Sequence, residues 1–197
     1  MEDQIYEVVI EGIRPYLMHN GQLCNPLNTH TKALKAVSKA RNKSDEDHIN
    51  VGKTEFWGSL YWDTKLGPYI PTDNLQAVIE RGATKRTLGK EFKAHVNVDM
   101  PAGADGFALQ YKGPRDREGL WADPQFVFTK GVKIGQRRIM RTRPRFASGW
   151  SCKFAVEVMA GGISKAQLEQ ALTDAGMYEG IGDWRPRYGR FIVKSIS

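Results

Sequence analysis

Apolar and polar residues alternate from Gln4 to Gly12, with Tyr6, Val8 and Ile10 on one side and Ile5, Glu7, Val9 and Glu11 on the other. A period of two with β-branched residues is the pattern of a strand. The run continues into Arg14-Pro-Tyr-Leu-Met-His19-Asn20-Gly21, where Asn-Gly marks a turn. Between residues 22 and 50 the spacing becomes helical. Leu34 and Val37 stand among Lys32, Lys35, Lys39 and Arg41, which predicts a helix from Thr31 to Arg41. A second helix is expected from Ser44 to about Trp57, with Ser44 capping and Asp47 at the third helical position. A short strand over Gly58 to Asp63 and a turn through Gly67-Pro68 follow. The next helix is expected from Asn74 to about Gly82, with Leu75, Val78 and Ile79 as its apolar stripe and Thr72 or Asp73 as its cap.

Residues 92–98 read as a strand, and 99–125 as a long loop rich in Gly, Pro and Asp that carries a short strand at Ala108 to Tyr111. Strand patterning resumes over 126–129, 130–143 and 149–158. Ser164 caps a last helix running to Gly176, whose Leu168, Ala171, Leu172 and Ala175 share one face. Phe191-Ile-Val193 is a closing strand. No internal repeat or low-complexity segment interrupts the order. A strand opens the chain and a strand, helix and strand close it, so the expected class is α+β: an antiparallel sheet with helices on one face and a helical insertion. At 197 residues the chain reads as a single domain, 1–197, with an insertion at about 22–66 and the long loop at about 99–125.

Charge narrows the partner. A formal net charge of +7 favours an anionic one, nucleic acid first and a membrane surface or acidic protein after it. No apolar run approaches the roughly 20 residues needed to span a bilayer. The opening MEDQIYEVVIEG lacks the basic segment and long apolar core of a signal peptide, so an intracellular protein without a membrane partner is expected. Cys24 and Cys152 form no CxxC pair, which fits free thiols in a reducing cytosol.

The basic residues concentrate in Lys130 to Arg145, which holds Lys130, Lys133, Arg137, Arg138, Arg141, Arg143 and Arg145 and no acid. Like charges side by side on a strand repel, so a run of one sign points to an anionic partner, or else to a basic hairpin that serves as a solubilising edge. Arg137, Arg141, Arg143 and Arg145 fall on one face of a regular strand. Phe146 and Trp150 lie beside the run.

A second loaded stretch is Gly176-Met-Tyr-Glu-Gly180-Ile-Gly182-Asp-Trp-Arg185-Pro-Arg187-Tyr-Gly189-Arg190-Phe-Ile-Val193. Its glycines allow close backbone approach, its arginines can fork onto phosphate and its aromatic rings can stack on bases. The plain alternative is a glycine-rich turn joining helix to strand. Among the histidines, His19 follows the first strand and could act as the general base of a ribonuclease, or be an ordinary hydrogen-bonded turn residue. His30, His48 and His95 lack zinc spacing, and Asp45-Glu-Asp47 fits a helix N-terminus, so no metal or cofactor is expected. Gly52-Lys53-Thr54 lacks the first glycine of a phosphate loop, since Asp stands at position 47.

The stretch from Gly180 to Val193, set between a helix and a last strand, resembles the glycine-rich loop of the repeat-associated mysterious protein (RAMP) superfamily. That superfamily includes backbone subunits and guide-processing endonucleases of CRISPR systems. The opening strand with Ile13-Arg-Pro-Tyr-Leu-Met-His19-Asn20, and Gly67-Pro-Tyr-Ile-Pro71 before a helix, are similar to it as well. Nearly the whole chain is similar to a family of tailed-bacteriophage proteins, through Leu17-Met-His-Asn20, Asn25-Pro-Leu27, Gly58-Ser-Leu-Tyr61, Gly67-Pro-Tyr-Ile-Pro71, Leu120-Trp-Ala-Asp123, Arg141-Thr-Arg-Pro144 and the terminal glycine loop.

These resemblances imply a ferredoxin-like, RNA-recognition-motif-type (RRM-like) domain and a non-enzymatic nucleic-acid-binding subunit in the bacterial host cytoplasm. They also imply assembly of further copies head to tail along a strand, with the 22–66 insertion as an arm. The expected partner is single-stranded DNA or RNA. Lys133, Arg137, Arg138, Arg141, Arg143 and Arg145 would hold its phosphates, helped by Arg185, Arg187 and Arg190. Trp184 and Tyr188 would stack on bases, and Gly180, Gly182 and Gly189 would let the backbone approach. Two alternatives stay open: a phage inhibitor that binds a host complex, and a metal-independent endoribonuclease using His19.

Overall fold

The structure, a computed structural model, describes residues 2–39 and 42–197, and all their side chains except those of Ile134 and Arg137. In chain order it forms β1 (Gln4–Gly12), β2 (Tyr16–Leu17), a 3-10 turn (Gly21–Cys24), α1 (Thr29–Ser38), α2 (Asp45–Ser59), β3 (Trp62–Asp63), β4 (Gly67–Pro71) and α3 (Thr72–Thr84). There follow α4 (Gly89–His95), β5 (Val96–Val98), β6 (Gly106–Ala108), α5 (Arg117–Ala122), β7 (Val127–Ile134), β8 (Arg137–Phe146), β9 (Ser151–Val158), α6 (Lys165–Asp174), a π turn (Ala175–Glu179) and β10 (Phe191–Ile196). The chain divides into two compact units. The first comprises Met1–Tyr16, Trp62–Lys112 and Ala147–Ser197, the second Leu17–Tyr61 and Gly113–Phe146. The insertion read at about 22–66 falls largely in the second unit, together with the basic hairpin.

The first unit is built on a four-stranded antiparallel sheet in the order β10-β1-β9-β5, with α3 between β1 and β5 and α6 between β9 and β10. The alternation in β1 decides its faces. Val8 and Ile10 pair with Phe154 and Cys152, and all four are buried. Val96 and Val98 of β5 continue this apolar face opposite Val158 and Val156. Leu75, Val78 and Ile79 of α3 and Leu168, Ala171 and Leu172 of α6 are buried in the core of the same unit. The two helices approach closely at Gly82, where an added Cβ would collide with the carbonyl oxygen of Ala171. Other residues of the sheet carry mixed charge: Glu7 pairs with Lys153 at 2.7 Å and Glu11 with Lys194 at 3.3 Å. A smaller sheet, β3-β4-β6, belongs to this unit too.

The second unit holds the antiparallel hairpin β7–β8 with α1, α2 and α5. Its α2 starts with the expected capping box: Ser44 Oγ accepts from the Asp47 N–H at 3.2 Å, and the Asp47 carboxylate accepts from the Ser44 N–H at 2.9 Å. Asn28 caps α1 by accepting from the His30 N–H at 2.8 Å. That helix ends at Ser38, and Arg41, its expected end, lies outside the described residues.

Several elements differ from the sequence reading. Residues 89–95 are helical, and only Val96–Val98 is a strand. Phe92, Val96 and Val98 mimic strand alternation, but Lys90, Glu91, Lys93 and Ala94 are good helix formers, and Phe92 alone is buried from that turn. The 99–125 segment contains α5, whose N-cap Asp116 accepts from the Gly119 N–H at 2.7 Å and whose Leu120 is fully buried. Its strand is Gly106–Ala108, followed by a bridge from Gln110 to Ser151. The α3 helix begins at Thr72 after Pro71, without a side-chain cap, because proline fixes the entry φ. Burial of Phe56, Gly58 and Ser59 carries α2 on to Ser59, where a strand had been expected. Among the described residues no helix is long and apolar enough to cross a membrane.

At the end of α6, Asp174 accepts from Arg86 Nε at 2.7 Å and from Gln170 at 3.1 Å. The hydrogen bond from Arg86 holds the Asp174 carboxyl below its ordinary range. A carboxyl whose pKa is depressed by folding adds stability above its unfolded value of about 4, and that stability is lost as the pH falls through the folded value. Asp174→Asn should therefore flatten the acid limb of a melting-temperature profile between about pH 2 and 5. An acid limb identical to that of the wild type would refute the pairing. Gly82→Val should destabilise the first unit by about 1–3 kcal/mol in denaturant unfolding, as overpacking does.

Candidate nucleic-acid interface

The hairpin runs in register from Val127↔Pro144 to Ile134↔Arg137 and closes on Gly135-Gln136, with Gly135 at φ 58°. Residues paired across the ladder share a face. One face carries Ile139, Arg141 and Arg143 opposite Val132, Lys130 and Phe128. The other carries Arg138, Met140 and Thr142 opposite Lys133, Gly131 and Thr129.

The arginines near the base of the hairpin have partners within the second unit. Arg141 Nη1 donates to Glu55 Oε1 at 2.7 Å, and the other carboxylate oxygen accepts from the Thr142 N–H at 2.8 Å. Glu55 itself is buried, 3% exposed. Arg143 is buried as well. Arg145 donates from Nε and Nη2 to the carbonyl of Gln125 at 3.2 and 3.0 Å, and its guanidinium lies 5.9 Å from the Phe128 ring centre.

Towards the tip the arrangement changes. Lys133 and Arg138 are directly opposite each other, both exposed, and neither pairs with an acid among the described residues. The side chain of Arg137 lies outside the described residues.

The glycine loop belongs to the first unit. It follows the π turn, and Gly180, Gly182 and Gly189 have φ of 69°, 83° and 71°. Its two ends are joined by the Ile181 N–H, which donates to the Gly189 carbonyl at 2.9 Å. A Cβ at Gly189 would strike the Ile181 carbonyl oxygen, so this closure requires glycine. The loop is also fastened to the exit of β1. The Gly189 N–H donates to the Pro15 carbonyl at 2.8 Å, and the Ile13 and Arg14 N–H groups donate to the Arg190 carbonyl at 2.8 and 3.1 Å. Trp184 and Tyr188 are half-buried and tilted towards each other, their ring centres 6.1 Å apart at 57°. Arg185 and Arg187 are exposed and Arg190 half-buried. The loop thus brings Gly180, Gly182, Trp184, Arg185, Arg187, Tyr188, Gly189 and Arg190 together in one unit, and the hairpin gathers the other expected residues in the second.

No family model matches the chain, and no curated protein does. Among solved structures it matches a chain of the type III-B Cmr-β structure, solved by cryo-electron microscopy bound to cognate target RNA. The TM-score is 0.51 at 14% identity, over 100% of this chain and 60% of that one. This is a likeness of fold, and the chain spans 60% of the length of that neighbour.

The remaining candidates lie elsewhere. His19 is exposed after β2, and its carbonyl accepts from the Tyr61 hydroxyl at 3.3 Å. His30 on α1 has its pKa lowered by burial and by Arg117. Burial pushes the Cys152 thiol up to about 12, which removes thiolate chemistry near neutral pH. Among the described residues no group of three or more His, Cys, Asp or Glu side chains could hold a metal ion.

Two neighbours of these stretches, Glu55 beside the hairpin and Arg14 beside the glycine loop, were not legible as such in the sequence. Glu55 looks like any solvent-facing helix acid, and Arg14 comes beside the loop only because β1 pairs with β10. Glu55→Ala would leave the Thr142 N–H and Arg141 without their acceptor, at a cost of about 2–4 kcal/mol to the second unit. Amide hydrogen exchange at Thr142 would show the loss as faster exchange, and unchanged protection would refute this role.

Proposed function

We propose that the chain binds single-stranded nucleic acid through the tip of the β7–β8 hairpin and through the glycine loop, in a ferredoxin-like, RAMP-type framework. The observation that carries the reading is Lys133 opposite Arg138, exposed and without an acid among the described residues. Cross-strand like charges repel at a Cβ separation of about 5 Å. A phosphate backbone placed there would replace that repulsion with attraction and release counterions.

The framework is supported by connectivity. If β1, β5, β9 and β10 are numbered one to four, the sheet order is 4-1-3-2, with a helix after the first strand and after the third. That is the β-α-β-β-α-β succession of ferredoxin-like domains. The likeness to a chain from an RNA-bound structure favours RNA as the first probe. Arg185 and Arg187 add exposed cations, and the rings of Trp184 and Tyr188 offer stacking surfaces. Further copies are expected to follow one another along a strand, adding mass stepwise on longer oligonucleotides in sedimentation.

Fluorescence anisotropy with labelled single-stranded RNA, single-stranded DNA and duplex across a salt series tests the reading. Single strands should bind with a steep salt dependence. The double variant Lys133→Ala, Arg138→Ala should lower the slope of log K against log salt by about 1.4, two contacts at about 0.7 each. Unchanged affinity and slope in the double variant would exclude the hairpin tip.

A further inference from the structure

Beside the glycine loop the first unit holds a pocket of about 420 Å³, lined by Arg14, Pro15, Pro186, Arg187, Tyr188 and Arg190. Half of these residues are arginines and none is an acid. Arg14, Arg187 and Arg190 have no ion pair among the described residues. Arg190 Nε is buried without a hydrogen-bond partner among them. A cluster of cations of this kind, with one donor already withdrawn from water, lacks its counter-charge.

The walls are fixed by backbone contacts. The three main-chain hydrogen bonds between Ile13–Pro15 and Gly189–Arg190 tie the exit of β1 to the loop. The indole N–H of the fully buried Trp150 donates to the Arg14 carbonyl at 2.9 Å and anchors that wall. None of these bonds uses the Arg14 side chain. The guanidiniums are therefore carried on a backbone that is already ordered, which is the condition for anion recognition at low entropic cost.

Size and chemistry together define the ligand. The volume falls within the roughly 300–1,000 Å³ of small-molecule sites and exceeds what one phosphate group fills. Guanidinium forks match phosphate oxygens, and the Tyr188 ring offers a face on which a base can stack. We propose that this pocket binds one nucleotide, its phosphate held by Arg14, Arg187 and Arg190 and its base placed against Tyr188. The inference rests on the nucleic-acid reading for the source of that nucleotide, which is either the phosphorylated end of a strand or a residue within it. It adds Arg14, which follows β1 and lies outside the glycine loop in the chain, as a binding residue.

Titration calorimetry with UMP and AMP tests the pocket directly, in the wild-type protein and in Arg14→Ala. Saturable binding at up to millimolar nucleotide, weakened at least tenfold by Arg14→Ala, is the expected result. Absence of saturable binding, or binding that Arg14→Ala leaves unchanged, overturns the proposal. Oligonucleotides of one sequence with a 5′-phosphate or a 5′-hydroxyl then identify the source. A preference for the phosphate that disappears in Arg14→Ala assigns the pocket to a strand end, while equal weakening of both assigns it to an internal nucleotide. If the wild type binds oligonucleotides with a steep salt slope but takes no mononucleotide, the pocket is excluded and the strand-binding reading stands. If it takes mononucleotides but no oligonucleotide, the pocket stands and strand binding falls.

Discussion

The second unit depends on one buried carboxylate. Glu55, on α2, is buried, and its two carboxylate oxygens accept from the Arg141 guanidinium and the Thr142 N–H, partners that a buried polar group requires. Both belong to β8, so the requirement of one acid determines where the hairpin meets the helix. It also divides the charge of the hairpin. Near the base, arginines are neutralised, buried or bound to a carbonyl, and at the tip Lys133 and Arg138 face each other uncompensated. In the four-stranded sheet the charges are instead matched, Glu7 with Lys153 and Glu11 with Lys194. Two β surfaces in one chain thus treat charge in opposite ways, and only one leaves cations facing cations.

In the first unit the corresponding constraint is space. Gly82 lets α3 meet α6, and Gly189 lets the loop close on Ile181. The loop is hung on the exit of β1 by main-chain hydrogen bonds, and the buried Ile181 side chain anchors it as well. On that backbone Arg185 and Arg187 are exposed, and Trp184 and Tyr188 are half-buried.

The parts legible in the sequence were those with local causes. The alternation of Gln4 to Gly12, the Ser44–Asp47 capping box, the Ser164 cap and the stripe of α6 are each written in a few neighbouring residues. The α4 helix was hidden because Phe92, Val96 and Val98 repeat at strand spacing, and α5 because six residues in a Gly- and Asp-rich segment carry too little pattern. The site divided in the same way. The basic run and the glycine stretch stood out as composition. That Arg141 is held by Glu55 and Arg145 by the Gln125 carbonyl depends on contacts distant along the chain, which spacing does not encode. The tilted pairing of Trp184 and Tyr188, both half-buried, is likewise not written in their spacing.

The order of segments has a consequence for how the chain folds as it leaves the ribosome. The second unit is complete once Phe146 has been made, before β9 exists. β1 is synthesised early, yet its sheet partners are β9 and β10. Its Val8 and Ile10, buried in the finished sheet, must wait in solvent or in passing contacts while the intervening chain emerges. Sheet pairings so distant in sequence close slowly and leave strand edges exposed meanwhile. The unit that carries the glycine loop therefore cannot complete its sheet until β10 has been made, although it contains β1.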